Sequence, residues 1–215
     1  MEYNVNRFKE MLLEENRKQN LISRRNPHKE IDKHIEDSRK ALDFFDMEGK
    51  RIVDIGSGAG FPGMILAMLV PNAEIILVES DMKKSVFLST VKAELDIANV
   101  GIVNQRAEIL GQDPAFRESF DLCTNRAVAA VRVILEYGLP LLIPGGRVVM
   151  WKGRNYLAEM QEASTALEIL GGQASTVYSY SLMDELDRTL VVVEKTRATP
   201  DKYPRRNGLP GKRPL

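Results

Sequence analysis

Cysteine, histidine and long apolar runs are scarce in this chain. A single cysteine, Cys123, excludes an internal disulfide, and with only two histidines, His28 and His34, too few Cys/His ligands remain for a structural zinc site. The longest uninterrupted apolar stretch, Met64 to Val70, has seven residues, well short of the roughly 18 that a membrane span needs. No sign of charge dominates: 30 basic and 30 acidic side chains cancel, so whole-chain charge speaks neither for nor against a nucleic-acid partner. The opening MEYNVNRFKEMLLEEN is charged and lacks both an apolar core and a small-residue cleavage site, which predicts no signal peptide and a cytoplasmic protein.

What is present describes a globular α/β chain. With 215 residues, 44% hydrophobic and 28% charged, one domain with an extension is expected. Residues 1–47 read as a helical extension, with turn-spaced faces at Phe8, Met11, Leu12 and Glu15 and at Ile31, Ile35, Leu42 and Phe45, separated at Asn26-Pro27. Residues 48–196 alternate β-branched runs with helical stretches. Seven strands are predicted at 51–55, 74–79, 101–104, 121–125, 147–152, 175–180 and 189–195, with helices at 62–70, 83–95, 128–142 and 156–170. Crossover-length helices between strands imply a doubly wound, mainly parallel sheet, and the last two strands, lacking such a helix, pair antiparallel. Residues 197–215 form a proline-rich tail in which six cations face one acid.

The run Ile52-Val-Asp-Ile-Gly56-Ser-Gly58-Ala-Gly60-Phe61-Pro62-Gly63 reads as strand, glycine loop and helix start, with Pro62 at the first helical position. Glu79, 19 residues past Gly60 at the end of the second strand, is placed to accept hydrogen bonds from ribose hydroxyls. Together these predict a nucleoside cofactor. The glycine spacing G-x-G-x-G, with Phe61 where a dinucleotide fingerprint has its third glycine, favours an adenosyl sulfonium over a pyrophosphate. A nicotinamide-dependent oxidoreductase and a non-catalytic RNA-binding module stay open on the residues alone. A binding assay with the two cofactors separates the first, and methyl transfer excludes the second.

Further segments carry a resemblance. Asn20-Leu21-Ile22-Ser23, His34-Ile35-Glu36-Asp37-Ser38, the glycine loop, Asn104-Gln-Arg-Ala-Glu108, Asn125-Arg126-Ala127-Val128-Ala129 and Tyr203-Pro204-Arg205-Arg206-Asn207-Gly208 occur in the order seen in the ribosomal RNA small-subunit methyltransferase G family, also called glucose-inhibited division protein B. Ser23, Arg39 and Asn207 depart from its usual residues, and none lies in the glycine loop. The resemblance implies the class I, Rossmann-like S-adenosylmethionine-dependent methyltransferase fold. It also implies methylation of N7 of one guanosine in 16S rRNA; the sequence does not choose among free rRNA, an assembly intermediate and the small subunit as substrate, and a monomer is expected without being fixed by the resemblance. Carried over by motif, Gly56 and Phe61 contact the cofactor, Ala107 and Glu108 flank its adenine, and Arg126 closes the site; Gly58 and Glu79 join this set from their positions.

Guanine N7 offers a lone pair in the neutral base, so no general base and no metal are expected, and alignment carries the catalysis. Cys123 reads as a core thiol, lacking the adjoining proline of pyrimidine-C5 nucleophiles. His34 and Asp37, three apart on one helical face, read as capping or helix-to-domain hydrogen bonding. For the RNA, the candidates are Lys152 at the end of the fifth strand, which is equally a solvated strand-end lysine, and Arg205, Arg206, Lys212 and Arg213 of the tail.

Overall fold

The structure, a computed structural model, describes residues 2–183 and 186–215, with the backbone alone at 186 and 187. Among the described residues the apolar runs form one seven-stranded sheet: β1 (Arg51–Ile55), β2 (Glu74–Val78), β3 (Val100–Val103), β4 (Phe120–Arg126), β5 (Leu142–Lys152), β6 (Gly172–Leu182) and β7 (Leu186–Lys195). Their spatial order is β3-β2-β1-β4-β5-β7-β6. β1 to β5 run parallel, whereas β7 pairs antiparallel with both β5 and β6 and so sits between them. The antiparallel pairing is as expected. The insertion of β7 reverses the chain's outward progress across the sheet, which local residue patterns do not encode.

Both faces of the sheet are covered, which is why its central strands read as continuous apolar runs. Ile52, Ile75 and Leu77 face a core shared with α1 (Glu2–Lys18), α2 (Pro27–Arg39), α3 (Gly63–Leu69) and α4 (Met82–Glu94). Val53, Ile76 and Val78 point the other way, toward α5 (Ala107–Leu110), α6 (Val131–Gly138) and α8 (Ser164–Leu170). Phe8, Leu12, Ile31 and Ile35 of the first two helices are buried in the first core against Phe61, Met64 and Leu88. The N-terminal helices therefore share a core with the sheet domain.

Local chemistry sets the helix ends. α2 begins at Asn26-Pro27, where Pro27 needs no N–H, and α4 is capped by Asp81, whose carboxylate accepts from the backbone of Lys83 at 2.8 Å. The helix expected over 128–142 is shorter, ending at Gly138 and passing into a 3-10 turn around Pro140, which cannot donate to the ladder. The stretch expected as one helix over 156–170 breaks at Ala163 into α7 (Tyr156–Glu162) and α8. Pro62 is the N-cap of α3 rather than its first residue. Residues 197–215, expected as a tail, fold back on the domain and include the short helix α9 (Leu209–Lys212).

Candidate functional site

The glycine loop crosses the C-terminal ends of the parallel strands, where ligands of doubly wound sheets bind. Gly56 and Gly58 take left-handed conformations, φ 69° and 54°, which side chains rarely adopt. The loop is tied to β2: Gly56 donates to the Val78 carbonyl at 2.8 Å, and Gly58 to Glu79 Oε2 at 2.9 Å. Glu79 is buried, its other oxygen accepting from the Asp81 backbone at 2.7 Å. Its carboxylate thus braces the loop, and each oxygen keeps a lone pair for a ligand hydroxyl. A β-carbon at Gly58 would meet nothing closer than 3.8 Å, so the loop's open side faces space.

Beneath the loop lies an acid that the sequence reading passes over. Asp54 is fully buried; it accepts from the Thr124 hydroxyl at 2.7 Å and from the Gly63 backbone at 3.3 Å. Burial pushes its carboxyl up to about 6. Its signal was present: one acid inside the apolar run Ile52-Val53-Asp54-Ile55.

Two cavities flank the loop. The smaller, about 80 Å³, is walled by Ile55, Val78, Ala107 and Tyr137, with Glu108 at its rim. Glu108 is buried and accepts from the Gly208 backbone at 2.8 Å; together with burial it pushes the Tyr137 hydroxyl up to about 12. The larger, about 620 Å³, opens between the ends of β4 and β5 and is walled on one side by His34 and Asp37 of α2. Val128 lines both. It packs over Gly56, where an added β-carbon would come within 2.7 Å of it. Its neighbour Ala127 is held at φ 56°, a left-handed conformation of the kind that concentrates at functional sites.

A polar cluster fixes the larger cavity's wall. Asp37 accepts from Arg126 at 3.2 Å and from the Tyr180 hydroxyl at 2.6 Å, while its carbonyl accepts from the Trp151 indole at 2.8 Å. The helix-to-domain hydrogen bond expected of Asp37 is therefore present. Arg126 also lies over the Phe61 ring, 5.1 Å from its centroid. Burial, with Arg126 close by, pulls the His34 imidazole down to about 3, so it is neutral near pH 7. Cys123 is buried on β4 and burial pushes its thiol up, which suits a core residue.

Three residues expected in the site have partners within the protein. Phe61, expected against the cofactor, turns its ring inward: it is buried, packed edge-on to Phe8 at 5.6 Å and beside His34 at 5.2 Å. Lys152, expected to meet RNA, spends its ammonium on Glu159 at 2.7 Å and the Ala129 carbonyl at 3.1 Å. Arg205, also assigned to RNA, is half-buried and anchors the segment: it pairs with fully buried Glu136 at 2.6 and 2.8 Å while its backbone donates to the same carboxylate at 2.9 Å. Arg206, Lys212 and Arg213 are exposed. Gly56, Ala107 and Glu108 line the smaller cavity, Gly58 and Glu79 are joined by a hydrogen bond, and Arg126 lines the larger cavity. Trp151, Tyr180 and Arg188 join the larger cavity or its polar wall from β5, β6 and β7; nothing local in the sequence marks them, because the topology alone brings them there. Among the described residues no cluster of metal-ligating side chains occurs, and no helix is long and apolar enough to cross a membrane.

Residues 1–191 match the family model for rRNA small subunit methyltransferase G. A Syntrophomonas wolfei protein named ribosomal RNA small subunit methyltransferase G is 54% identical over 215 residues, covering 100% of both chains. A protein of the same name from Carboxydothermus hydrogenoformans is 43% identical over 97% of this chain and 89% of its own. Among solved structures, a mutant of MtNAS in complex with S-adenosylmethionine superposes with a TM-score of 0.61 at 16% identity, over 91% of this chain and 76% of that one. TYW2 of M. jannaschii in complex with AdoMet gives 0.58 at 15% identity, over 75% and 74%. At such identities the likeness concerns the fold.

Proposed function

Because the chain belongs to the rRNA small subunit methyltransferase G family, we propose that it transfers a methyl group from S-adenosylmethionine to N7 of one guanosine in 16S rRNA. The fold is that of class I S-adenosylmethionine-dependent methyltransferases, and rRNA methylation is the activity of the family's name. The observation that supports the finer reading is a pair of cavities that share Val128, which packs over Gly56: a small one beside Ala107, and a larger one lined by three cations at the ends of β4 and β5.

The residues present fit the cofactor. The uncovered side of Gly58, the spare lone pairs of Glu79 and the apolar walls at Ile55, Val78 and Ala107 suit a ribose and an adenine, and nothing in the loop is arranged to neutralise a pyrophosphate. When bound, the cofactor supplies a methyl group activated by a sulfonium leaving group. Gly56 and Gly58 present the backbone, Glu79 takes ribose hydroxyls while bracing the loop, and Ala107 and Glu108 border the adenine. Arg126, locked by Asp37, separates the methyl donor's space from that of the RNA base. In neutral guanine N7 already holds its lone pair, so the protein's work is alignment rather than proton removal. Neutral His34 suits that division of labour, because a neutral imidazole adds no charge beside the base. Arg206, Lys212 and Arg213 provide phosphate contacts from the outer surface.

The test is to incubate the protein with methyl-labelled S-adenosylmethionine and small subunits or rRNA from cells lacking the activity, then map the label. The expected product is one guanosine methylated at N7, formed in single turnovers at a rate nearly flat from about pH 6.5 to 8.5. Label on a ring carbon, an exocyclic nitrogen or a ribose oxygen overturns the reading, as does a tenfold rate change following one ionisation in that window with RNA structure intact.

A further inference from the structure

The larger cavity holds more hydrogen-bond donors than its own acceptors satisfy. Three cations line it, Arg126, Lys152 and Arg188, against two carboxylates, Asp37 and Glu159. Each Asp37 oxygen already accepts one hydrogen bond, from Arg126 or from Tyr180, and Glu159 Oε2 accepts from Lys152 and the Val131 backbone. Arg188 stands apart: it lines the cavity at the start of β7, opposite Tyr180 on β6, and its Nε is closed to solvent with no hydrogen-bond partner among the described residues. A buried donor left unmet is destabilising, a deficit that an acceptor arriving in the cavity removes. The Arg188 Nε is a donor that a ligand entering the cavity can meet.

Resting on the N7 reading above, we propose that Arg188 is the specificity-determining contact of the RNA base, donating from its guanidinium to O6 of the target guanine. O6 neighbours N7 on the same edge of the base, so a hydrogen bond to O6 orients the methyl-accepting lone pair and leaves it free. Adenine has an equally accessible N7 but carries an amino donor in place of O6. It would bring a donor to a donor and leave the guanidinium unmet, and sites built to hydrogen-bond one group reject its replacement by large factors. A phosphate is the other acceptor a guanidinium can take. The enclosed position of Arg188, beside a neutral imidazole and deep enough for its Nε to be shielded from water, favours the flat edge of an inserted base.

The test uses the full chain and 16S rRNA carrying guanosine, inosine or 2-aminopurine riboside at the mapped target position. Inosine keeps O6 and N7 and lacks the 2-amino group; 2-aminopurine keeps N7 and the amino group and lacks O6. The wild type should methylate inosine within about tenfold of guanosine and 2-aminopurine at least about 100-fold more slowly in kcat/KM, some 2.7 kcal/mol. Arg188→Met should lower kcat/KM for guanosine by a similar factor while changing that for 2-aminopurine less than threefold, with S-adenosylmethionine affinity unchanged by calorimetry. If Arg188→Met slows all three substrates equally, the guanidinium holds a phosphate and the proposal is wrong. Should that variant fail to fold, the wild-type series decides alone, since equal rates for guanosine and 2-aminopurine overturn the proposal. Label at N7 with indifference to O6 defeats this inference only, whereas label elsewhere on guanosine defeats the N7 reading and this inference with it.

Discussion

Burial favours the neutral form of two side chains, and each writes a pH dependence into stability. Asp54, fully buried, has its carboxyl pushed up to about 6, above the range of an unfolded aspartate. The folded state therefore binds a proton more tightly than the unfolded state, so this group stabilises the fold at low pH and its contribution falls as pH rises from about 4 to 6. Comparing wild type with Asp54→Asn by urea unfolding, the difference in stability should shift against the wild type across that window by on the order of 2 kcal/mol and stay flat above it. A difference independent of pH would show that Asp54 titrates normally. His34 runs the other way: its imidazole, pulled down to about 3, gives stability that is complete above the unfolded value near 6.5 and lost as pH falls toward 3. Replacing it by Gln should reduce acid lability in that range, read from the midpoint of acid unfolding. Asp54 is visible in the sequence as an acid within an apolar strand, but its partner Thr124 sits 70 residues away. Its burial follows from the neighbouring strand, not from its own segment.

The glycine loop and the elements it joins were the most legible part, because a strand, a turn that needs positive φ and a helix start are all locally encoded. Gly58 shows what the structure adds. Its φ of 54° is a backbone requirement, while the space around it is open, with no atom nearer than 3.8 Å to an added β-carbon. Gly58→Ala should therefore fold with about 1–2 kcal/mol of strain and put its methyl group on the cofactor's side of the loop. Affinity for S-adenosylmethionine should drop at least tenfold, about 1.4 kcal/mol, by calorimetry. Gly145→Ala is the matched control, since Gly145 has φ 86° and nothing within 4 Å of its added carbon, and it lines a cavity with Lys50 near the starts of the parallel strands, at the other end from the loop. If both variants weaken the cofactor equally, the effect is backbone strain and the loop is not the site. The ring of Phe61 was less legible. An aromatic residue in a ligand loop suggests a ligand contact, yet the N-terminal helices bring Phe8 and His34 to the same place and the ring packs against them.

At the scale of the molecule, the C-terminal segment departs most from its appearance in sequence. Six cations among prolines look like a solvated arm, yet the partner of Arg205 is Glu136, 69 residues earlier, and no local pattern announces a pair of that span. Arg205→Met leaves the fully buried Glu136 carboxylate without its cation and should cost about 3 kcal/mol or more in unfolding free energy. Arg206→Gln, Lys212→Gln and Arg213→Gln together should leave stability and S-adenosylmethionine binding unchanged while weakening RNA binding. The slope of log affinity against log salt should become shallower by about 2. An unaltered slope would place the RNA elsewhere. The span of such contacts also bears on synthesis. The wall of the larger cavity is closed by a hydrogen bond between Asp37 and Tyr180, 143 residues apart. At about 5–20 residues per second, translation separates those two groups by roughly 7–30 s. A nascent chain that has already made its glycine loop thus still lacks one wall of the larger cavity. That wall is therefore completed only after the strand that carries Tyr180 has been made.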